Sequence, residues 1–141
     1  MTQFADRSAH RSYVAITGAG GGLGKAFAVE CASRGWDLFL TDLSPAPLEQ
    51  LAVSLYNAYS IDVVVYPCDL TDAVARTNLF ETIRSTGLRF WALINVAGLD
   101  YEGLFYQQTS QQIRTIIRLN IEGTLDMIHS LLEYRDPLQV F

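Results

Sequence analysis

The sequence predicts an α/β fold, a doubly wound parallel sheet, on three observations. Short runs of strand-forming residues alternate with longer segments of helical character. Those strand runs are almost continuously apolar, as strands buried on both faces are. The first of them ends in a glycine-dense stretch, ITGAGGGLGKAFA at residues 16–28, that passes without a break into a helix.

In chain order, YVAIT at 13–17 is the first strand. Residues 23–34 form a helix with Leu23, Ala26, Phe27 and Cys31 on one face, stopped by Gly35. WDLFLT at 36–41 is the second strand, and Ser44 followed by Pro45 opens a helix to about residue 58. The β-branched run at 62–66 is the third strand. Residues 71–86 make a third helix closed by Gly87, and FWALIN at 90–95 is the fourth strand. Thr109 and Gln112 have the spacing of a capping box. Beyond them Ile113, Ile116, Ile117, Ile121, Leu125, Ile128, Leu131 and Leu132 keep the spacing of a buried helical stripe. Residues 138–141 are placed as the start of a fifth strand. Right-handed crossovers then make a Rossmann-like sheet the simplest arrangement. Residues 1–11 are expected to be a flexible tail and 12–141 a single dinucleotide-binding domain.

Composition narrows the function. The chain has 141 residues, half of them hydrophobic, and a net charge of -5, so a phosphate-backbone binder with a basic face is disfavoured and no nucleic-acid partner is expected. Cys31 and Cys68 lie far apart and away from His10 and His129, with no metal-ligand spacing, and read as buried thiols of a reducing compartment. Without a signal-like or membrane-spanning apolar run, a cytoplasmic location and no membrane partner are expected.

Glycines between a strand end and a helix start leave main-chain N–H groups facing outward, where the helix dipole favours an anion and a missing Cβ allows close approach. The nucleoside-triphosphate loop does not fit, because its first glycine falls on Ala19 and its hydroxyl position on Ala26. The usual G-x-G-x-x-G spacing fails as well, its third glycine falling on Leu23. What fits is T-G-x-x-x-G-x-G, at Thr17, Gly18, Gly22 and Gly24. Gly21 also allows T-G-x-x-G-x-x-G, so the loop does not separate the two forms. Asp42 follows the second strand, eighteen residues after Gly24, where a carboxylate can accept bonds from an adenosine ribose. Leu43 follows it with no arginine on either side for a 2′-phosphate, which favours NAD over NADP.

These motifs, with Cys68-Asp69-Leu70 and Asn95-Val96-Ala97-Gly98, resemble the short-chain dehydrogenase/reductase family. The resemblance implies cofactor contacts from Gly18, Gly22, Leu23, Gly24, Asp42, Asp69, Leu70, Asn95, Ala97 and Gly98, with Asp69 and Leu70 beside the adenine. Asp69 reads equally as a cap of the helix that follows. In the family's N-N-A-G segment the second asparagine is here Val96. Asn120 interrupts the apolar stripe, so it is expected to be buried and bonded to something specific. Its family counterpart organises a proton relay beside the catalytic lysine.

The family's catalytic serine and Tyr-x-x-x-Lys pair cannot be drawn, since the only lysine is Lys25 in the glycine loop. Two readings follow. One is the amino-terminal NAD-binding part of an oxidoreductase that moves hydride between NAD and an alcohol or carbonyl small-molecule substrate, inactive alone. The other is a non-catalytic nucleotide-binding or self-assembling module. An incomplete sheet predicts an open fourth strand and an uncovered face of the long helix, hence a homo-oligomer.

Overall fold

The computed structural model describes residues 2–3 and 11–138. Four parallel strands carry the domain: β2 (Tyr13–Thr17), β3 (Leu38–Thr41), β4 (Val63–Val65) and β5 (Phe90–Asn95). A short β1 (Thr2–Gln3) pairs antiparallel with β4, and the spatial order is β1-β4-β3-β2-β5. The sequence places Thr2 and Gln3 in the expected tail; residues 4–10 of that tail lie outside the described residues. Helices α1 (Gly22–Ser33), α2 (Pro45–Tyr59) and α3 (Ala73–Thr86) follow β2, β3 and β4. After β5 come a 3₁₀ turn (Phe105–Gln107), α4 (Ser110–Ile117), a π-helical turn (Arg118–Gly123) and α5 (Thr124–Glu133).

The strands bury both faces because their side chains alternate. Val14, Ile16, Leu38, Leu40, Val63 and Val65 pack with the α1 and α2 side. Tyr13, Ala15, Phe39, Val64 and Phe90 pack with Leu79, Ile83, Met127 and Leu131 of α3 and α5. Among the described residues no helix is long and apolar enough to cross a membrane.

Two helices bury only part of the stripe the sequence suggests, Cys31 in α1 and Leu131 in the long helix, and turn other residues inward beside them. In α1 the buried residues are Gly24, Ala28, Cys31 and Ala32, whereas Leu23 is 62% exposed and Phe27 is also exposed. Small side chains face the sheet because α1 starts directly against the β2 loop, where no larger group fits. The long helix opens with the predicted capping box, Gln112 N donating to Thr109 Oγ1 at 3.2 Å and Thr109 N to Gln112 Oε1 at 2.8 Å. Its covered line beyond the cap, however, is Gly123, Met127 and Leu131, while Ile117, Ile121, Leu125, Ile128 and Leu132 are exposed. Ile117 is already exposed before the π turn, and the π turn widens one turn of the helix and rotates the side chains that follow it about the axis, which a constant period of 3.6 does not anticipate.

Beyond α5, Phe90 N donates to Tyr134 O at 2.9 Å and Arg135 bridges Phe90 in parallel sense, so the chain re-enters the sheet beside β5. This is earlier than the expected fifth strand at 138–141, of which Leu138 lies in a turn and the rest lies outside the described residues.

At the amino ends of the strands, Tyr13 donates its hydroxyl to the buried Asp62 Oδ2 at 2.6 Å. Burial, then the hydrogen bond to Asp62 and its negative charge, hold the Tyr13 phenol well above its ordinary value. The folded state therefore favours the protonated phenol, and its contribution to stability is complete below the unfolded value near ~10 and is lost as pH rises beyond it. In alkaline unfolding followed by circular dichroism, Tyr13→Phe is expected to show a shallower loss of stability above pH ~10 than the wild type. Parallel slopes would contradict this.

Candidate functional site

β2 and β5 are adjacent and parallel, and the chain winds away from them toward opposite edges of the sheet. At such a switch point the loops beyond the strand carboxyl ends separate and leave a crevice.

The glycine loop forms one wall. Gly18 has φ +64° and lies so close to the β5 loop that a Cβ would sit 2.7 Å from Ala97 N. Gly24 is the tighter position, since a Cβ there would stand 2.1 Å from Gly18 O and 2.7 Å from Ala19 Cα. Beside Gly22 the space is open. No side chain caps the α1 amino end, whose N-cap is Gly21, so its first-turn amides have no side-chain cap. An uncapped helix start behind a glycine cradle suits a phosphate group.

The second wall is the end of β3. Asp42 Oδ2 accepts from Gly20 N at 2.9 Å and Oδ1 from Leu43 N at 2.7 Å. Two amides thus fix the carboxylate's orientation, and it retains further acceptor capacity for hydroxyl donors. Asp42 O also accepts from Cys68 N at 2.9 Å, tying this wall to the next. There Asp69 Oδ1 accepts from Thr71 N at 2.9 Å and Thr71 Oγ1 at 2.7 Å, a local turn. The cap of α3 is Asp72, which accepts from Val74 N, so the helix-cap alternative for Asp69 is ruled out. Cys68, largely buried, lines the cavity beside Asp69; desolvation, then the negative charge of Asp69, pushes its thiol up to about 11, and burial likewise raises that of Cys31. Both are protonated and weakly nucleophilic at neutral pH.

Thr17 connects β2 to the β5 loop. Its Oγ1 accepts from Val96 N and Ala97 N, each at 3.1 Å, and donates to Asn95 Oδ1 at 3.3 Å. Asn120, in the π turn, grips the next residue of that loop by both main-chain groups: Leu99 N donates to its Oδ1 and its Nδ2 donates to Leu99 O, each at 2.9 Å. The specific partner expected of Asn120 is present, but the residue is exposed rather than buried. It lies on the helix edge facing the loop, where none of the described residues covers its other side.

These walls enclose a cavity of about 340 Å³. Of the residues expected at a cofactor, Gly18, Asp42, Asp69, Leu70, Ala97 and Gly98 line it; Gly22, Leu23, Gly24 and Asn95 do not. Thr71, Leu99, Thr115 and Leu119 also line it and were not anticipated. Thr115 and Leu119 are one helical turn apart, and the position of Leu119 next to Asn120 was the only available signal. The cavity thus offers the Gly18 main chain at one end, a fixed carboxylate in the middle and an apolar slot edged by Asp69 at the other. The residues present fit a dinucleotide.

Comparison with known proteins agrees with this geometry. The short chain dehydrogenase family matches over residues 12–137. The very-long-chain 3-oxoacyl-CoA reductase of Kluyveromyces lactis is 31% identical over 124 residues, covering 86% of this chain and 36% of that protein. Human 17-beta-hydroxysteroid dehydrogenase type 3 is 27% identical over 131 residues, covering 90% of this chain and 41% of that one. A short-chain dehydrogenase from Sphingobium yanoikuyae, solved in complex with NADPH, superposes with a TM-score of 0.79 at 32% identity, over 85% of this chain and 46% of its own. An alcohol dehydrogenase from Thermococcus sibiricus, complexed with 5-hydroxy-NADP, shares the fold with a TM-score of 0.80 at 24% identity, over 88% and 53%. The chain therefore spans well under half the length of these curated relatives.

Proposed function

The chain belongs to the short chain dehydrogenase family, and on that premise we propose that it is the NAD-binding portion of an oxidoreductase acting on an alcohol or carbonyl substrate. The observation that carries this reading is the crevice at the β2/β5 switch point, lined by Gly18, the oriented Asp42 carboxylate and Asp69, with the uncapped start of α1 beyond the glycine loop. The amides of Gly22 and Leu23 hold the diphosphate, with Gly18 and Gly24 setting the loop close enough to do so. Asp42 accepts from the adenosine ribose, and Asp69 and Leu70 flank the adenine. Asn95, Ala97 and Gly98 continue the floor toward the nicotinamide. When bound, the cofactor supplies or receives the hydride. Asn120 holds the Leu99 peptide at the edge of that floor, the relay position in a complete enzyme. These 141 residues contain no Tyr-x-x-x-Lys pair to handle the substrate proton, and in this reading they are inactive by themselves.

NAD is the preferred cofactor in this reading because a 2′-phosphate on the ribose would meet the Asp42 carboxylate, with Gly20 and Leu43 beside it and no cation among the described residues that line the cavity. The named neighbours bind NADPH or an NADP derivative, so the preference rests on Asp42 alone. Titration with NADH and NADPH tests it, read by energy transfer from Trp36 and Trp91, which stack edge-to-face at 4.8 Å. Saturable binding of NADH, weak and tighter than that of NADPH, is the expected result. Absence of any dinucleotide binding would refute the proposal.

The reading includes a cytoplasmic, reducing location, in keeping with two free buried thiols, and a homo-oligomer. The exposed stripe from Ile117 to Leu132 is a long apolar face of the kind that associates. Leu125, 58% exposed at its centre, is the residue to test. Leu125→Glu is expected to shift a dimer to monomer in sedimentation without changing the fold; a monomeric wild type at high concentration would contradict association.

A further inference from the structure

The carbonyl of Leu70, on the adenine-side wall, is held from two directions. Arg76 Nη1 donates to it at 2.7 Å. From the other side Gly123 of the π turn approaches so closely that a Cβ would lie 2.8 Å from the same oxygen. Arg76 itself is 4% exposed, and its Nε donates to Asp126 Oδ2 at 2.8 Å, the carboxylate being half-exposed at 51%. A guanidinium taken out of water needs specific partners, and its planar fork serves two acceptors at fixed angles. Here the two are a wall carbonyl from the loop before α3 and a carboxylate on α5. The same helix carries Leu119 into the cavity and Asn120 onto the Leu99 peptide. Both walls of the crevice are thereby fastened to one continuous helix, through Arg76 on Asp126 of α5 and Gly123 of the π turn on one side and through Asn120 of the π turn on the other.

We infer that Arg76 is a positioning residue that couples the wall at residues 69–71 to the helix bearing Asn120, so that filling the adenine slot and ordering the Asn120–Leu99 pair favour one another. The identity of the ligand rests on the nucleotide reading above; the coupling does not. By linkage, a ligand that stabilises one wall tightens the other, and loosening either weakens the ligand.

Amide hydrogen exchange and AMP titration test this with Arg76→Met and Asp126→Asn, the second being an isosteric change at a half-exposed position that leaves the fold intact if the first does not. Exchange at the Thr71 and Leu99 amides is expected to quicken by about tenfold in both variants, and AMP to bind about tenfold more weakly. The Leu38 amide, bonded to Asp62 O at the far end of the sheet, is expected to stay unchanged. In the wild type, AMP is expected to slow exchange at Leu99. Exchange at Leu99 unaltered in Asp126→Asn, or quickened only in proportion to Leu38 as general destabilisation requires, overturns the coupling. A wild type that takes up no AMP overturns the nucleotide reading instead, and the exchange rates of the variants then decide the coupling alone.

Discussion

Gly24→Ala is expected to unfold the amino-terminal half of the crevice. The added methyl meets backbone on two sides, 2.1 Å from Gly18 O and 2.7 Å from Ala19 Cα, so no rotamer relieves it and the start of α1 must move away from β2. Overpacking of this kind costs about 3 kcal/mol, a large share of the stability of a domain this size, and lowers the melting temperature by roughly 10 °C. Dinucleotide binding is expected to vanish even in the fraction that stays folded, because the α1 amides are displaced. Gly22→Ala separates the two effects. Nothing lies within 4 Å of a Cβ there, and alanine suits a helix start at least as well as glycine, so stability stays within ~0.5 kcal/mol of wild type. Nucleotide affinity should nevertheless fall, since the methyl enters the space assigned to the diphosphate. A Gly22→Ala protein with undiminished affinity would remove the phosphate from that place.

Asp42→Ala is expected to abolish discrimination between NAD and NADP. Under the proposed ribose contact the carboxylate accepts charge-assisted bonds of about 1.5–3 kcal/mol, so NAD affinity is expected to fall by roughly 10- to 100-fold. NADP loses little, because the same substitution removes the charge facing its phosphate. Since Asp42 Oδ2 also holds Gly20 N, part of any loss reflects a loosened loop. Asp42→Asn keeps an acceptor for Gly20 and isolates the charge, and is expected to bind NAD less well than wild type and NADP better. Calorimetry that finds equal losses for both cofactors in Asp42→Ala would take the ribose contact away from this residue.

Much of the site could be read one element at a time. The loop glycines, Asp42, the 68–70 segment and Ala97-Gly98 each sit at a strand end, and a strand end in a parallel sheet points to the crevice whatever the rest of the fold does. Thr115 and Leu119 escaped because a helix lines a cavity only through the face its packing turns inward. Leu23 and Phe27 mark the same limit from the other side, as large apolar residues that remain at the surface because the β2 loop admits only small groups beneath α1.

The order of strands and helices, the glycine cradle and the Thr109 capping box were determined by the sequence alone, because each depends on neighbours within a turn or on a two-residue alternation. Tertiary structure alone decided which line of the long helix is covered, why Asn120 remains exposed while holding Leu99, and how Arg76 reaches both Leu70 and Asp126. The Asn120–Leu99 and Arg76–Asp126 pairs join residues 21 and 50 positions apart, brought together by the crossover connections and the π turn, and no local pattern carries that information.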